Sequence, residues 1–268
     1  MRYLPFALLL LFTIGCAPSN NELASKLLND ANILKDKKEY NRSKILLDSI
    51  NATYPDEQEV CIRASHLVYA ISILEQQRII QLSDSALKEK EATIKPLLLN
   101  FKRDVDSGDD TLLIHIRQLP QNSYNRSYIR ANLNTKGDFY LSSQYVGESN
   151  INHTQMRAVC GSSVALSVEI KEDGSYNRHF EDEDVKWEII QFKNNGDNGI
   201  SDLIAKHYNE GIRVDLIGGN PYSIYLEEYD KEAIRDGYEI SFLLKEIALL
   251  KETIKRSQRV VEKLSKAK

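Results

Sequence analysis

The sequence predicts an α+β protein: helical hairpins, then an antiparallel β domain, then a long heptad helix packing back on the N-terminal helices. Three observations predict it. Apolar residues recur at helical spacing through residues 22–105. Residues 128–229 turn instead to short β-branched and aromatic runs separated by Asn- and Gly-rich turns. Residues 230–268 then carry Ile240, Leu243, Ile247, Leu250, Ile254, Ser257, Val261 and Leu264 in strict steps of three and four. That last segment has no proline and a single glycine, Gly237.

In the helical region, Leu23, Leu27, Ala31 and Leu34 form one stripe, and Asp36-Lys37-Lys38-Glu39 breaks it. A second helix carries Ser43, Leu47 and Ile50 and ends at Tyr54-Pro55, because a residue before proline is disfavoured in the helical region. Ala31, Leu34, Tyr40, Ser43, Leu47, Ile50 and Pro55 fall at spacings that resemble one tetratricopeptide unit. That resemblance implies a helical hairpin with small residues between its helices, and protein or peptide binding as its usual work. The sequence departs from the pattern at Ser43 and Ile50, where alanines are usual, and at Lys38, where glycine is usual. No second full copy follows.

After Pro55, Asp56 is placed to cap a helix whose Val60, Ala64, Leu67, Ile71 and Leu74 make a coiled-coil seam. Ser83-Asp84-Ser85 is expected to break it. A further helix is expected through Leu87 and Ile94 to Phe101, kinked at Pro96. Residues 106–127 read as a linker.

In the β domain, Asn134-Thr135-Lys136-Gly137 and Gly218-Gly219-Asn220-Pro221 mark two hairpins. Further strands are expected at Met156–Val159, Val164–Ile170 and Trp187–Phe192, with a short helix inserted from Gly199 to Tyr208. A heptad stripe as narrow as that of the C-terminal segment wants another helix. The Val60–Leu74 seam of the same chain is the favoured partner and a second copy the alternative, so monomer and coiled-coil dimer both stay open.

The chain opens with Arg2 and an apolar run from Leu4 to Ile14, too short to span a bilayer, which needs roughly 20 residues. Its length suits a signal peptide over residues 1–15. The run stops at Thr13-Ile14-Gly15-Cys16, which resembles the lipobox of bacterial lipoproteins. Gly15 and Cys16 fit the pattern; Thr13 and Ile14 depart from it. The resemblance implies acylation of Cys16, with residues 16–21 as a lipidated tether and the membrane as a partner through the anchor. Ala17 is not a retention aspartate and no acidic cluster follows Cys16, which favours the outer membrane, facing the periplasm. The layout as a whole is similar to gut Bacteroidetes lipoproteins. Tyr128-Ile129-Arg130-Ala131, the run Leu141 to Gly147, and Ile151-Asn152-His153 carry most of that likeness, which implies a location more than a mechanism.

The chemistry-bearing residues give little. A net charge of −4 offers no reason to expect nucleic-acid binding. His66, His115, His153, His179 and His207 show no paired spacing, so neither a metal nor a cofactor is expected. Asn194-Asn195-Gly196-Asp197-Asn198-Gly199 fails the calcium-loop pattern and reads as a turn. Glu181 to Asp184 reads as a solvated acidic loop. Cys61 and Cys160 read as two separate thiols. No nucleophile elbow, phosphate loop or dinucleotide fingerprint is present, so no catalytic residue is assigned. Tyr140, Tyr145, Trp187, Tyr222 and Tyr225 are candidates for a ligand surface, with core packing as the alternative. Ser49, Ser85 and Thr111 sit in Asp-Ser/Thr-apolar tripeptides similar to the O-glycosylation sites of exported Bacteroidetes proteins. The basic last turns, among them Lys251, Lys255 and Arg259, suit a helix C-terminus. The expected function is a non-catalytic protein-interaction or scaffold lipoprotein with an envelope protein as partner. The alternatives are a small-ligand or glycan-binding β domain and a hydrolase without a recognisable motif.

Overall fold

The computed structural model describes residues 18–104, 111–123, 125–182 and 184–266. Cys16 and the signal segment lie outside them. The fold is α+β and divides into two compact units. The first holds residues up to Leu82 and those from Ile254 onward; the second spans Ser83–Thr253.

In the first unit, α1 (Asn20–Asp36) opens on a capping box. Ser19 Oγ accepts the Glu22 N–H, and Glu22 accepts the Ser19 N–H at 2.9 Å. The turn to α2 (Tyr40–Thr53) puts Lys38 at φ 62°. Left-handed backbone of this kind costs a side-chain-bearing residue roughly 1–2 kcal/mol, and Lys38 is exposed. Lys38→Gly is therefore expected to raise stability by about 0.5–1 kcal/mol in a urea titration. Between the helices, the buried Ser43 hydroxyl donates to the Ala31 carbonyl at 2.7 Å. The serine thus keeps the close packing an alanine would give and satisfies its own polar atom. Ala24, Leu28, Ala31, Leu47 and Ile50 close the hairpin onto Val60, Ala64 and Ile71.

Those last three residues belong to α3, one helix from Gln58 to Leu98. The expected break at Ser83-Asp84-Ser85 does not occur. Ser83 is buried, and the Asp84–Lys88 ion pair spans one turn at 2.7 Å. Three small polar residues compete with helical hydrogen bonds, but a continuous apolar stripe on either side outweighs them. Pro96 falls in the last turn, where it ends the helix rather than kinking it.

The expected linker is corrected. Residues 105–110 lie outside the description, but β1 (Phe101–Asp104) and β2 (Leu112–His115) flank them and pair with each other. A 3₁₀ turn and the short α4 (Pro120–Ser123) follow. Polar flanks masked the apolar run Leu112-Leu113-Ile114. The helical region accordingly gives way to sheet before residue 105.

In the second unit, β3 (Tyr128–Asn134) and β4 (Phe139–Gly147) form the first expected hairpin, and β9 (Arg213–Ile217) and β10 (Tyr222–Tyr225) the second. Between them lie β5 (Gln155–Cys160), β6 (Ser163–Leu166), β7 (Asn177–Asp182) and β8 (Val185–Phe192). The strand β7 was not expected, and it absorbs half of the supposed acidic loop: Glu181 and Asp182 are paired with Lys186 and Val185. A six-stranded antiparallel sheet runs β1-β2-β3-β4-β8-β7, and a four-stranded one runs β10-β9-β5-β6. Ile129, Leu141, Tyr145, Ile190 and Phe192 of the first share a core with Met156, Ala158, Val214 and Leu216 of the second. The inserted helix α5 (Ile200–Lys206) adds Ile200, Leu203 and Ile204.

The long helix α6 spans Glu228–Lys266. Its Asp230 side chain is buried and takes two hydrogen bonds from the Arg126 guanidinium, at 2.6 and 2.8 Å, and one from Gln118 at 2.7 Å. Gln118 in turn bridges the Ile129 carbonyl and the Ala131 N–H of β3. Farther along, Ile240, Leu243 and Ile247 pack with Ile94 of α3 and with Leu113 and Leu133 of the sheet. The ion pairs Lys90–Glu246 and Glu91–Lys251, at 2.7 and 2.8 Å, flank that contact. The heptad helix thus packs on α3, and its last turns, from Ile254, fall in the same unit as Val60–Leu74.

Candidate functional site

A buried polar cluster lies between the two sheets. Alternation along β4 points Leu141, Ser143 and Tyr145 inward, and β8 points Glu188 the same way, opposite Tyr145. The segment Ile151-Asn152-His153 enters β5 between them. Asn152 takes a φ of 52°, so successive N–H groups turn toward one point. Glu188 occupies that point. Its Oε1 accepts the Ile151 and Asn152 N–H groups at 2.7 and 2.8 Å, and its Oε2 accepts the His153 N–H at 3.1 Å. His153 Nδ1 also reaches Oε2, at 2.6 Å, and His153 Nε2 lies 2.8 Å from Ser143 Oγ. Burial alone would raise the Glu188 pKa. The His153 hydrogen bond and the backbone donors outweigh it and hold the carboxyl at about 2. An ionised Glu188 assigns the imidazole proton to Nδ1, leaving Nε2 to accept from Ser143.

This connectivity matches the Ser-His-acid relay of hydrolases. Its setting does not: Ser143, His153 and Glu188 each have no exposed surface. A nucleophile must meet a carbonyl, and here the serine hydroxyl meets only the core. Around the relay, Asn177 donates to the His153 and Ile170 carbonyls, and His179 Nε2 lies 3.0 Å from Asn177 Oδ1. The whole set fastens the Ile151–His153 segment between the sheets. Sequence reading missed it because its members lie on three separate elements with no shared spacing. The inward alternation of Ser143 and Glu188 in otherwise apolar strands was the available signal.

A second cluster is half exposed. Cys160 ends β5, His207 caps the C-terminus of α5, and Glu210 follows in the next turn, its N–H bonded to the His207 carbonyl at 2.8 Å. The Cys160 thiol donates to Glu210 Oε2 at 3.4 Å, and His207 Nδ1 lies 2.7 Å from Glu210 Oε1. Burial, and then the Glu210 carboxylate, push the Cys160 thiol pKa up, while His207 holds the Glu210 pKa down. Cys160 and Cys61 are both free thiols, and Cys61 donates to the Tyr54 carbonyl.

The five candidate aromatics do not converge. Tyr145 is buried between the sheets, with Tyr222 edge-on at 5.1 Å. Tyr140 and Trp187 lie on the outer face of the six-stranded sheet, toward opposite ends of β4: Trp187 pairs with Val146 and stacks on Phe180, while Tyr140 lies under the Lys193 ammonium. Tyr225 is 72% exposed on the outer face of the four-stranded sheet. Of the candidate glycosylation residues, Ser49 is half-buried in α2 and back-bonded to the Ile45 carbonyl, Ser85 is exposed on α3, and Thr111 precedes β2. In the Asn194–Gly199 loop, Asp197 takes the Ser201 N–H and hydroxyl, a turn contact at the start of α5.

The outer face of the four-stranded sheet is ordered in rows. Val164, Val159, Arg213 and Tyr225 form one cross-strand row, and Leu166, Arg157, Asp215 and Ser223 the next. Asp215 accepts from Arg157 at 2.7 Å, from Ser223 at 2.8 Å and from Arg213 at 3.3 Å. Val164 is 59% and Leu166 42% exposed.

No helix among the described residues is long and apolar enough to cross a membrane. A scan against protein-family models, a search of curated proteins and a search of solved structures each find no match for this chain.

Proposed function

We propose that the chain is a lipid-anchored envelope lipoprotein that acts as a non-catalytic module, docking a partner protein on the outer face of its four-stranded sheet. The observation that carries this reading is the row Val164, Val159, Arg213 and Tyr225 beside Leu166. With the neighbouring row it joins aliphatic side chains, a tyrosine and two arginines bonded to Asp215, and neither row contains a lysine. Tyrosine and arginine are enriched in protein interfaces and lysine is depleted. Val164, Leu166 and Tyr225 are each well exposed on this face, and contiguous exposed apolar surface is a feature of interaction sites. The anchor rests on Gly15-Cys16 at the end of the apolar leader. The closed Ser143–His153–Glu188 relay supports the non-catalytic part of the reading.

One experiment tests both parts in the native envelope. Cells are fed a clickable fatty acid while a photo-crosslinking residue replaces Tyr225, or Ile45 of α2 as a control site that is 64% exposed. The expected result is a fatty-acid label that Cys16→Ala removes. A discrete protein adduct should also form from position 225, absent at 45 and abolished by Val164→Glu. A label indifferent to Cys16→Ala overturns the anchor. The same adduct from both positions, or none from position 225, overturns the docking face.

A further inference from the structure

We propose that Cys160, His207 and Glu210 form a zinc site with one open coordination position. The three offer a thiolate sulfur, an imidazole nitrogen and a carboxylate oxygen, and these donor atoms all lie within 4.8 Å of one another. A tetrahedral ion with bonds of roughly 2.0–2.3 Å holds its donors about 3.3–3.8 Å apart. Cys160 Sγ lies 3.4 Å from Glu210 Oε2 and His207 Nδ1 lies 2.7 Å from Glu210 Oε1, so a small rotation of the carboxylate is needed to bring one oxygen into place beside both other donors.

The local structure holds the donors from three sides. Cys160 is 4% exposed at the end of a central strand of its sheet. His207 is fixed by its N–H bond to the Leu203 carbonyl at the end of α5. The Glu210 carbonyl accepts a hydrogen bond from the Lys231 ammonium of α6 at 2.8 Å, which pins the turn through its backbone and leaves the carboxylate to Cys160 and His207. The His207 and Glu210 side chains are 32% and 58% exposed, so an ion can reach the cluster from solvent.

The donor set selects the metal class. Oxygen-seeking magnesium and calcium are disfavoured by a sulfur ligand, whereas sulfur, nitrogen and oxygen together suit zinc. Three protein ligands leave the fourth position to water, the arrangement of open zinc sites. Binding releases the thiol proton to solvent, and the imidazole proton moves to Nε2 so that Nδ1 can coordinate. His207 has no second histidine at metal-ligand spacing. The sequence signal of the site is His207 and Glu210 three residues apart, and the thiol arrives from a strand 47 residues upstream of His207.

The test uses the full mature chain, metal-stripped, in which Cys16→Ser and Cys61→Ser leave Cys160 as its one thiol. Cobalt(II) is added as a spectroscopic stand-in, and zinc by calorimetric titration in two buffers that differ in protonation enthalpy. The expected results are a sulfur-to-cobalt charge-transfer band with intense tetrahedral d–d bands, one zinc per chain, and proton release. Cys160→Ser should abolish the charge-transfer band. His207→Ala and Glu210→Gln should each weaken zinc binding by more than the roughly 10–100-fold that loss of an outer-shell partner costs. Glu210→Gln alters an exposed side chain, so it tests the site even where Cys160→Ser unfolds the sheet. Absence of the sulfur band, or zinc affinity unchanged in Glu210→Gln, overturns the proposal.

Discussion

Glu188→Ala is expected to cost the Ser83–Thr253 unit about 3–5 kcal/mol. The substitution strands two buried N–H groups, the part-buried Asn152 N–H and the His153 Nδ1–H with no acceptor, and empties the point on which they converge. A loss of that size is a large fraction of an ordinary domain's stability. Trp187 is the sole tryptophan and adjoins Glu188 on β8, so urea unfolding followed by its fluorescence reads the event where it happens. A variant within about 1 kcal/mol of the parent would show that the relay fastens nothing.

The same carboxylate predicts an acid response of definite sign. Its folded pKa, about 2, lies below its ordinary value of 4.5. A depressed carboxyl pKa stabilises the fold above the unfolded value, and that contribution is lost as pH falls through the folded value. Between about pH 4.5 and pH 2 the parent should therefore lose roughly 3 kcal/mol that Glu188→Gln does not lose. Urea midpoints at pH 6 and pH 2.5, parent against Glu188→Gln, measure it; parallel acid curves would remove Glu188 as the source.

Gly218→Ala should be comparably damaging from the other side of the same segment. A Cβ at Gly218 would lie 2.3 Å from the Asn152 carbonyl oxygen and 2.5 Å from His153 Cα. Both are backbone atoms of the stretch Glu188 caps, so no flexible side-chain end can yield. Either β9 or the Ile151–His153 segment must move, and moving the latter breaks the Glu188 hydrogen bonds. A cost of about 3 kcal/mol lowers the melting temperature of a unit this size by roughly 6–12 °C. Gly219→Ala is the control, because its nearest neighbour, the Ile151 carbonyl oxygen, would lie 3.6 Å away, an ordinary contact. Equal melting temperatures for the two variants would contradict the close approach.

Local patterning revealed the elements but not the joints between them. The α+β class, both glycine-turn hairpins, α5 and the heptad helix were legible because each is written in a single run of sequence. Ser83-Asp84-Ser85 misled because breaker residues act only where packing does not hold the helix. Leu112–His115 and Asn177–Asp182 were hidden because a short strand is specified by its neighbours' free edges as much as by its own residues. Both polar clusters escaped for a stronger reason. Glu188 meets His153 across 35 residues and Cys160 meets Glu210 across 50, and only the tertiary fold brings them together.

Asp215 is 7% exposed and holds two guanidinium groups through hydrogen bonds made during folding. A free surface arginine gives up rotamer freedom worth roughly 0.5–1.5 kcal/mol when an interface traps it. Arg157 and Arg213 have already surrendered part of that freedom, so under the proposed docking a partner would meet side chains that are partly ordered beforehand. Its association should carry a smaller ordering penalty than an equal area of mobile lysines would impose.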